Sequence, residues 1–513
     1  MPEHWKSLLS GLRSPLLLGA LAGAVLLSGV DETWLAVSAW VGTFGLCEAL
    51  HGCRSRWGVA ATGLIFGTLA NVVALFALGP LLVGYAQLSE PVAWLVAACT
   101  WLAQGVPYAL AAWLAEAVAS RGWPRWLALA GSLTCALALC PQVFPWHLGA
   151  SQLGVLPYVQ LAELGGESLV GLCFVSAVAA LHGSLRAPGK ARWGALGIAM
   201  LAIAGPLAYG FARLPAVERE RAMAPKLRLG VVQANAPIPS GDAEAYARRS
   251  LTALLSLTRP LESKGVDLTV WGETAYPYPL LRSTTHAPDD ERAPQAAGVQ
   301  GPLLMGLETY STFMDHGAKY NSAWLVRRDG RMAGRVDKAR LIPFGEYVPF
   351  WHLLTPLQSF FHSPGFAPGA PGTVRLPQGR LGVLICYEDL FAAAAREPVR
   401  QGARMLINLT NDVWFGTSRV SFLHDLLARM RAIEQRRDLV RVVNTGRSSF
   451  IAASGRELIH GQPFEQASFV VEPVLLDART PYSRLGDLTA PGCALLLLIA
   501  LVRRRRVRLG SAS

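Results

Sequence analysis

The sequence predicts a layered α/β sandwich joined to a bundle of apolar helices, and three observations carry that expectation. Residues 1–212 and 488–502 are almost continuously apolar, whereas residues 213–487 have the composition of a soluble domain. In the soluble stretch, short aliphatic runs alternate with one-faced helical patterns, the order of a mixed α/β layer. One such run, residues 381–385, is apolar throughout, as a strand buried on both faces must be, and it leads directly into Cys386. Chemistry in α/β proteins collects where strands give way to loops.

Of the 513 residues 52% are hydrophobic and only 16% charged, against ~25% charged in a typical soluble chain. The deficit points to membrane segments rather than one outsized core. The net charge is +12, but many Lys and Arg residues sit beside apolar runs, which argues for membrane topology and against nucleic acid. Seven of the eight cysteines lie in or beside apolar segments. Cys386 is alone in the polar stretch, so neither a disulfide framework nor a Cys/His zinc spacing arises there.

Spans of about 20 apolar residues are expected near 15–31, 34–51, 58–84, 91–117, 126–143, 166–183, 193–212 and 488–502. The last is short, and the arginines 503–506 can extend it by snorkelling. Lys6 and Arg13, Arg54 and Arg56, Arg121 and Arg125, Arg186 to Arg192 and the Arg-rich tail occupy every second connection. The alternate loops, near 85–90 and 144–165, carry no Lys or Arg. That alternation puts both termini in the cytoplasm and residues 213–487 outside. The first span lacks a small-residue cleavage site and reads as a helix rather than a cleaved signal. The uncharged loop Phe144-Pro145-Trp146-His147 reads as an interfacial anchor or as cover for a lipid-access site.

In the soluble stretch, strands are expected at 227–233, 267–271 and 302–306, with a helix over 242–262 after the first. Runs 322–326 and 332–336 flank Asp329-Gly330, a hairpin signal. Strands at 381–385 and 405–409 precede a helix at 422–436, and strands at 440–444 and 450–453 close the series. No internal repeat is present.

Three polar residues stand at or just beyond strand ends: Glu273, Lys338 and Cys386. A thiol attacks as the thiolate and needs a base to take its proton. A carboxylate in an apolar pocket can be that base and later return the proton as an acid. A lysine can stay charged against the oxyanion of a tetrahedral intermediate, with a backbone N–H beyond the cysteine as second donor. Periodicity alone does not bring the three together.

Their motifs do, by resemblance. The ordered set Trp271-Gly272-Glu273, Lys338-Ala339-Arg340-Leu341-Ile342-Pro343-Phe344-Gly345-Glu346 and Ile385-Cys386-Tyr387-Glu388 resembles the carbon–nitrogen hydrolase (nitrilase) superfamily. With the apolar half, the chain resembles its membrane branch, the apolipoprotein N-acyltransferases. Asn408-Leu409-Thr410-Asn411-Asp412-Val413-Trp414-Phe415-Gly416, Ala428-Arg429-Met430-Arg431-Ala432, Asn444-Thr445-Gly446 and Thr480-Pro481-Tyr482-Ser483-Arg484 add to the likeness.

The resemblance implies a nitrilase-like αββα sandwich in a chain of about eight transmembrane helices, at the bacterial inner membrane with the 213–487 domain in the periplasm. It implies Cys386 as nucleophile, Glu273 as proton acceptor and Lys338 as the cation at the oxyanion. Glu346, Tyr387, Glu388, Asn321 and Trp414 match supporting positions. It also implies a phospholipid acyl donor, a diacylated apolipoprotein acceptor, and neither metal nor organic cofactor. Three positions depart from the family pattern: Gly272 stands in place of a proline, Arg340 replaces a histidine, and a tryptophan expected after residue 233 has no counterpart in 239–245. A membrane-tethered amidase or a non-catalytic lipid-binding relative are the alternatives.

Overall fold

The computed structural model describes residues 14–84, 88–145, 147–238, 241–294, 298–314, 317–343, 345–347 and 365–502. Lys6, Arg13, Trp146, Phe344 and the arginines 503–506 lie outside the described residues. The chain divides into two compact units, one of residues 1–76, 94–214 and 485–513 and one of residues 77–93 and 215–484.

The first unit is helical. Its helices are Pro15–Leu26, Glu32–Gly52, Arg56–Ala74, Arg125–Leu139, Ala162–Ser184 and Thr489–Val502, with most of Glu90–Ala119 and Gly189–Met223. Among the described residues five helices are long and apolar enough to cross a membrane. Pro15–Leu26, Arg125–Leu139 and Thr489–Val502 are apolar but shorter, at 12, 15 and 14 residues. Backbones approach closely where small residues allow it. A Cβ on Gly23 would lie 2.1 Å from the Phe66 carbonyl, and one on Gly63 would lie 2.6 Å from that of Tyr108.

The apolar run expected as one span over 58–84 is two helices, Arg56–Ala74 and Leu78–Gly84. Pro80 explains the break, because its ring bars a helix that would run through the carbonyl four residues earlier. The run expected to end at 212 instead continues to Met223, through an Ala-, Glu- and Arg-rich stretch that favours helix.

The second unit is an αββα sandwich. One seven-stranded sheet has the order β13-β1-β2-β4-β5-β6, with β3 (Leu280–Leu281) paired to β4. Its members are β1 (Leu229–Gln233), β2 (Leu268–Trp271), β4 (Leu303–Tyr310), β5 (Lys319–Val326), β6 (Met332–Asp337) and β13 (Ala467–Val471). The other sheet has six strands in the order β12-β11-β10-β9-β8-β7. These are β7 (Gly372–Leu376), β8 (Gly379–Ile385), β9 (Ala403–Thr410), β10 (Leu439–Val443), β11 (Ser449–Ile451) and β12 (Glu457–His460).

Each sheet has a parallel centre, β1-β2-β4 in one and β8-β9-β10 in the other, with antiparallel strands toward its edges. The sheets face each other through β1 and β2 against β10 and through β5 against β8. Helix Ala243–Glu262 covers the first sheet, and helices Ala392–Arg400 and Arg419–Gln435 cover the second. Trp271, Leu254, Leu261, Met305 and Trp324 form the core under the first helix. Leu384, Val399, Leu406, Ala428 and Leu439 form the core under the other two.

Candidate active site

The ends of three strands, two of them parallel and central and one an antiparallel edge strand, bring the chemistry together. β2 ends one residue before Gly272-Glu273, β8 ends at Ile385 just before Cys386, and β6 ends at Asp337 just before Lys338. Glu273, Lys338 and Cys386 are all buried, Lys338 completely.

Lys338 Nζ donates to Glu273 Oε1 at 3.0 Å and to Glu346 Oε1 at 2.5 Å. Asn321 Nδ2 donates to the same Glu273 oxygen at 2.7 Å. The Lys338 main chain is fixed too, its N–H donating to the Asn321 carbonyl at 2.8 Å. Glu346 is held by its second oxygen, which accepts the Ile342 N–H at 2.9 Å. Burial works against the Lys338 ammonium, but Glu273, Glu346 and Cys386 together hold it well above its ordinary value. Lys338 is therefore charged at neutral pH.

Cys386 stands within electrostatic reach of Lys338, Glu273 and Glu346. Burial pushes the thiol well above its ordinary value, and Glu273 adds to that push against the pull of Lys338. The resting sulfur is a neutral thiol, and ionising it needs a base at the moment of attack.

The turns after Glu273 and at Cys386 each hold a non-glycine residue in the left-handed region, Thr274 at φ 46° and Cys386 itself at φ 51°. Such residues persist only where their surroundings over-determine them. At the Cys386 turn Glu388 supplies that restraint. Its Oε2 accepts the Ile385 N–H at 2.8 Å, and its Oε1 accepts the N–H groups of Ala339 and Arg340 at 2.7 and 3.1 Å. One carboxylate thus ties the cysteine turn to the segment that follows Lys338. Asn408 Nδ2 donates to the Cys386 carbonyl at 3.0 Å and completes the hold.

Tyr387 is buried next to Cys386, with its ring edge-on to Phe391 at 4.9 Å between centroids. Trp414 lies half-buried on the 3-10 turn Val413–Phe415, with the short helix Leu78–Gly84 alongside. Arg340, where the family pattern has histidine, lies over the Phe391 ring at 5.2 Å. Of the segment 239–245, residues 239 and 240 lie outside the described residues.

Sequence reasoning assigned no role to Asn408 or Gly306, although Asn408 opens a quoted motif. A Cβ on Gly306 would lie 2.2 Å from the Gly272 carbonyl and 2.8 Å from Glu273 Cα, so β4 passes the Glu273 turn only because it has no side chain there. The sole signal was a glycine inside a strand. Among the described residues no group of His, Cys, Asp and Glu is arranged to hold a metal ion.

The sandwich matches the carbon–nitrogen hydrolase family over residues 228–472. A relative from Geobacter metallireducens named apolipoprotein N-acyltransferase is 32% identical over 383 residues, 71% of each chain. One of the same name from Rhizobium rhizogenes is 32% identical over 496 residues, covering 88% of this chain and 89% of its own. The chain belongs to the apolipoprotein N-acyltransferase family. Among solved structures it is similar to the carbon–nitrogen hydrolase of Helicobacter pylori G27, at a TM-score of 0.36 and 18% identity over 48% of this chain and 89% of that one.

Proposed function

We propose that this chain moves a fatty acyl group from a membrane phospholipid, through a thioester on Cys386, to the N-terminal α-amino group of a diacylglyceryl-cysteine in apolipoproteins. One observation carries the reading: likeness to the named acyltransferases extends over 88% of the chain, apolar helices included, and not only over its hydrolase sandwich. A hydrolase of small soluble amides has no use for those helices.

In the first half-reaction Glu273 takes the Cys386 proton and the thiolate adds to the ester carbonyl. The Lys338 ammonium and the Tyr387 N–H hold the oxyanion. The tetrahedral intermediate collapses with cleavage of the ester C–O bond, Glu273 returns its proton to the departing oxygen, and the lysophospholipid leaves. In the second half the neutral amine of the acceptor adds to the thioester carbonyl. The C–S bond breaks, and the amine proton passes through Glu273 to the Cys386 sulfur. Asn321 and Glu346 hold Glu273 and Lys338, Glu388 holds the cysteine turn, and Trp414 lines the pocket. Both termini lie in the cytoplasm and the sandwich outside, a reading the alternation of basic loops supports. Likeness to the acyltransferase family makes that outside face the periplasmic side of an inner membrane.

Mass spectrometry of protein incubated with phospholipid tests the reading. The expected product is an acyl chain on Cys386, discharged when a diacylated lipopeptide is added. An unmodified Cys386 together with turnover of a small amide would overturn it in favour of an amidase, and inertness toward both would leave a binding protein.

A further inference from the structure

A second buried cluster lies behind the nucleophile, and the steps above make no use of it. Asp389, three residues beyond Cys386 on the same 3-10 turn, is fully buried, and its Oδ1 meets His424 Nε2 at 2.7 Å. The other ring nitrogen, Nδ1, meets Asp412 Oδ1 at 3.2 Å. Asp412 immediately precedes the turn Val413–Phe415 that carries Trp414. Phe415 sets its ring edge-on to the imidazole, with 6.5 Å between centroids. The remaining charges are Arg441, which donates to Asp389 Oδ2 at 3.2 Å and to Asp425 Oδ1 at 2.8 Å, and Asp425, which also accepts from Ser449 Oγ.

The hydrogen-bond inventory of imidazole decides what this geometry means. Both nitrogens face carboxylate oxygens, and a neutral ring can donate to only one of them. The imidazolium donates to both. Burial opposes the charge, but Asp389 and Asp412 outweigh it and the repulsion of Arg441, raising His424 to about 9.

We infer that His424, as an imidazolium, is a positioning residue that ties the turn of Cys386 to the turn of Trp414 and so fixes where the acyl donor meets the sulfur. The inference rests on the acyl-transfer reading. His424 touches neither the sulfur nor its base; it acts through Asp389 and Asp412. Its folded pKa is raised, so the link is complete at neutral pH and one of its two bonds is lost as pH rises through about 9.

The test uses full-length protein in phospholipid vesicles without acceptor, following the Cys386 thioester over time across the titration range of His424. Wild type, His424→Gln and Asp412→Asn are compared, and iodoacetamide alkylation of Cys386 is followed in parallel with glutathione added to the same vesicles as reference thiol. The wild-type acylation rate should fall above about pH 9. His424→Gln should slow acylation by roughly a hundredfold, as an ångström-scale misplacement does, and should erase the alkaline fall. Asp412→Asn removes one of the carboxylates that raise His424, so it should move the fall to lower pH.

Wild-type acylation kinetics in His424→Gln would overturn the inference, and if that variant does not fold, an unmoved alkaline fall in Asp412→Asn would do the same. If wild type forms no thioester at all, acyl transfer itself is wrong. The alkylation profile then decides the link, which stands only if the variants shift it for Cys386 and not for the glutathione reference.

Discussion

The two sheets of the sandwich handle buried charge in opposite ways. The first sends Glu273 and Lys338 to the site, where they follow β2 and β6 and meet each other and Glu346 in the candidate active centre. The second delivers a neutral thiol whose turn Glu388 holds, and beneath it lie Asp389, His424, Asp425 and Arg441, paired with one another. Removing a charge from water costs several kcal/mol unless a partner is well placed. On the first sheet that cost is met among groups of the candidate site, and on the second among groups packed behind the Cys386 turn. Chemistry and scaffold are therefore separable by mutation.

Cys386→Ala and Lys338→Met should separate them furthest. Both should reduce acyl transfer to the limit of detection. Cys386→Ala removes a neutral thiol and should leave thermal unfolding of the detergent-solubilised protein nearly unchanged. Lys338→Met strands two buried carboxylates and should cost about 3–5 kcal/mol. Equal melting behaviour in the two variants would mean that Lys338 does not carry the charge balance of the site.

Arg441→Met is the converse case. It leaves Asp389 and Asp425 without their shared cation and should cost a similar about 3–5 kcal/mol. Its acylation rate should nevertheless stay well above that of Lys338→Met, because Arg441 contacts neither Glu273 nor Lys338. Single-turnover acylation read beside the melting curve checks this; a rate as low as that of Lys338→Met would erase the distinction between the sheets.

Gly306→Ala probes the first sheet without touching charge. The new Cβ would press on the backbone of Gly272 and Glu273, so Glu273 shifts while Lys338 and Cys386 stay. Overpacking of this kind costs about 1–3 kcal/mol, and the misplaced base should slow acylation by about a hundredfold. The donor half-reaction measured alone shows whether the loss lies in the chemical step.

The same contrast explains what the sequence disclosed. Central strands such as β8 and β9 were legible because burial on both faces demands unbroken apolar runs. β12 and β13 were missed because they are edge strands, where burial is partial and residues such as Glu457 and His460 are tolerated. Glu273 and Lys338 are 65 positions apart and meet only through sheet pairing, so no local pattern joins them; resemblance to a family did. Helix Arg419–Gln435 was expected, but its buried face was not. Periodicity counts Asp425, Arg429, Arg431 and Glu434 as solvent-facing, and all four are buried. A buried ion network has no one-dimensional signature, because each charge becomes affordable only through partners on other strands.

The smallest effect belongs to the helix on the opposite face, Ala243–Glu262, an ordinary amphipathic cover. Its N-cap is Asp242, whose side chain accepts the N–H groups of Glu244 and Ala245 at 2.9 and 3.4 Å. Asp242→Ala leaves those donors to water and should cost about 1 kcal/mol, with no change in acylation rate. The equivalent loss on the other face, Asp425→Ala, leaves Arg441 and Ser449 short of a buried acceptor and should cost several times more. If the two substitutions shifted the melting temperature equally, the ion network under the second sheet would be no more than a solvated helix face. The contrast drawn between the two sheets would then have no energetic content.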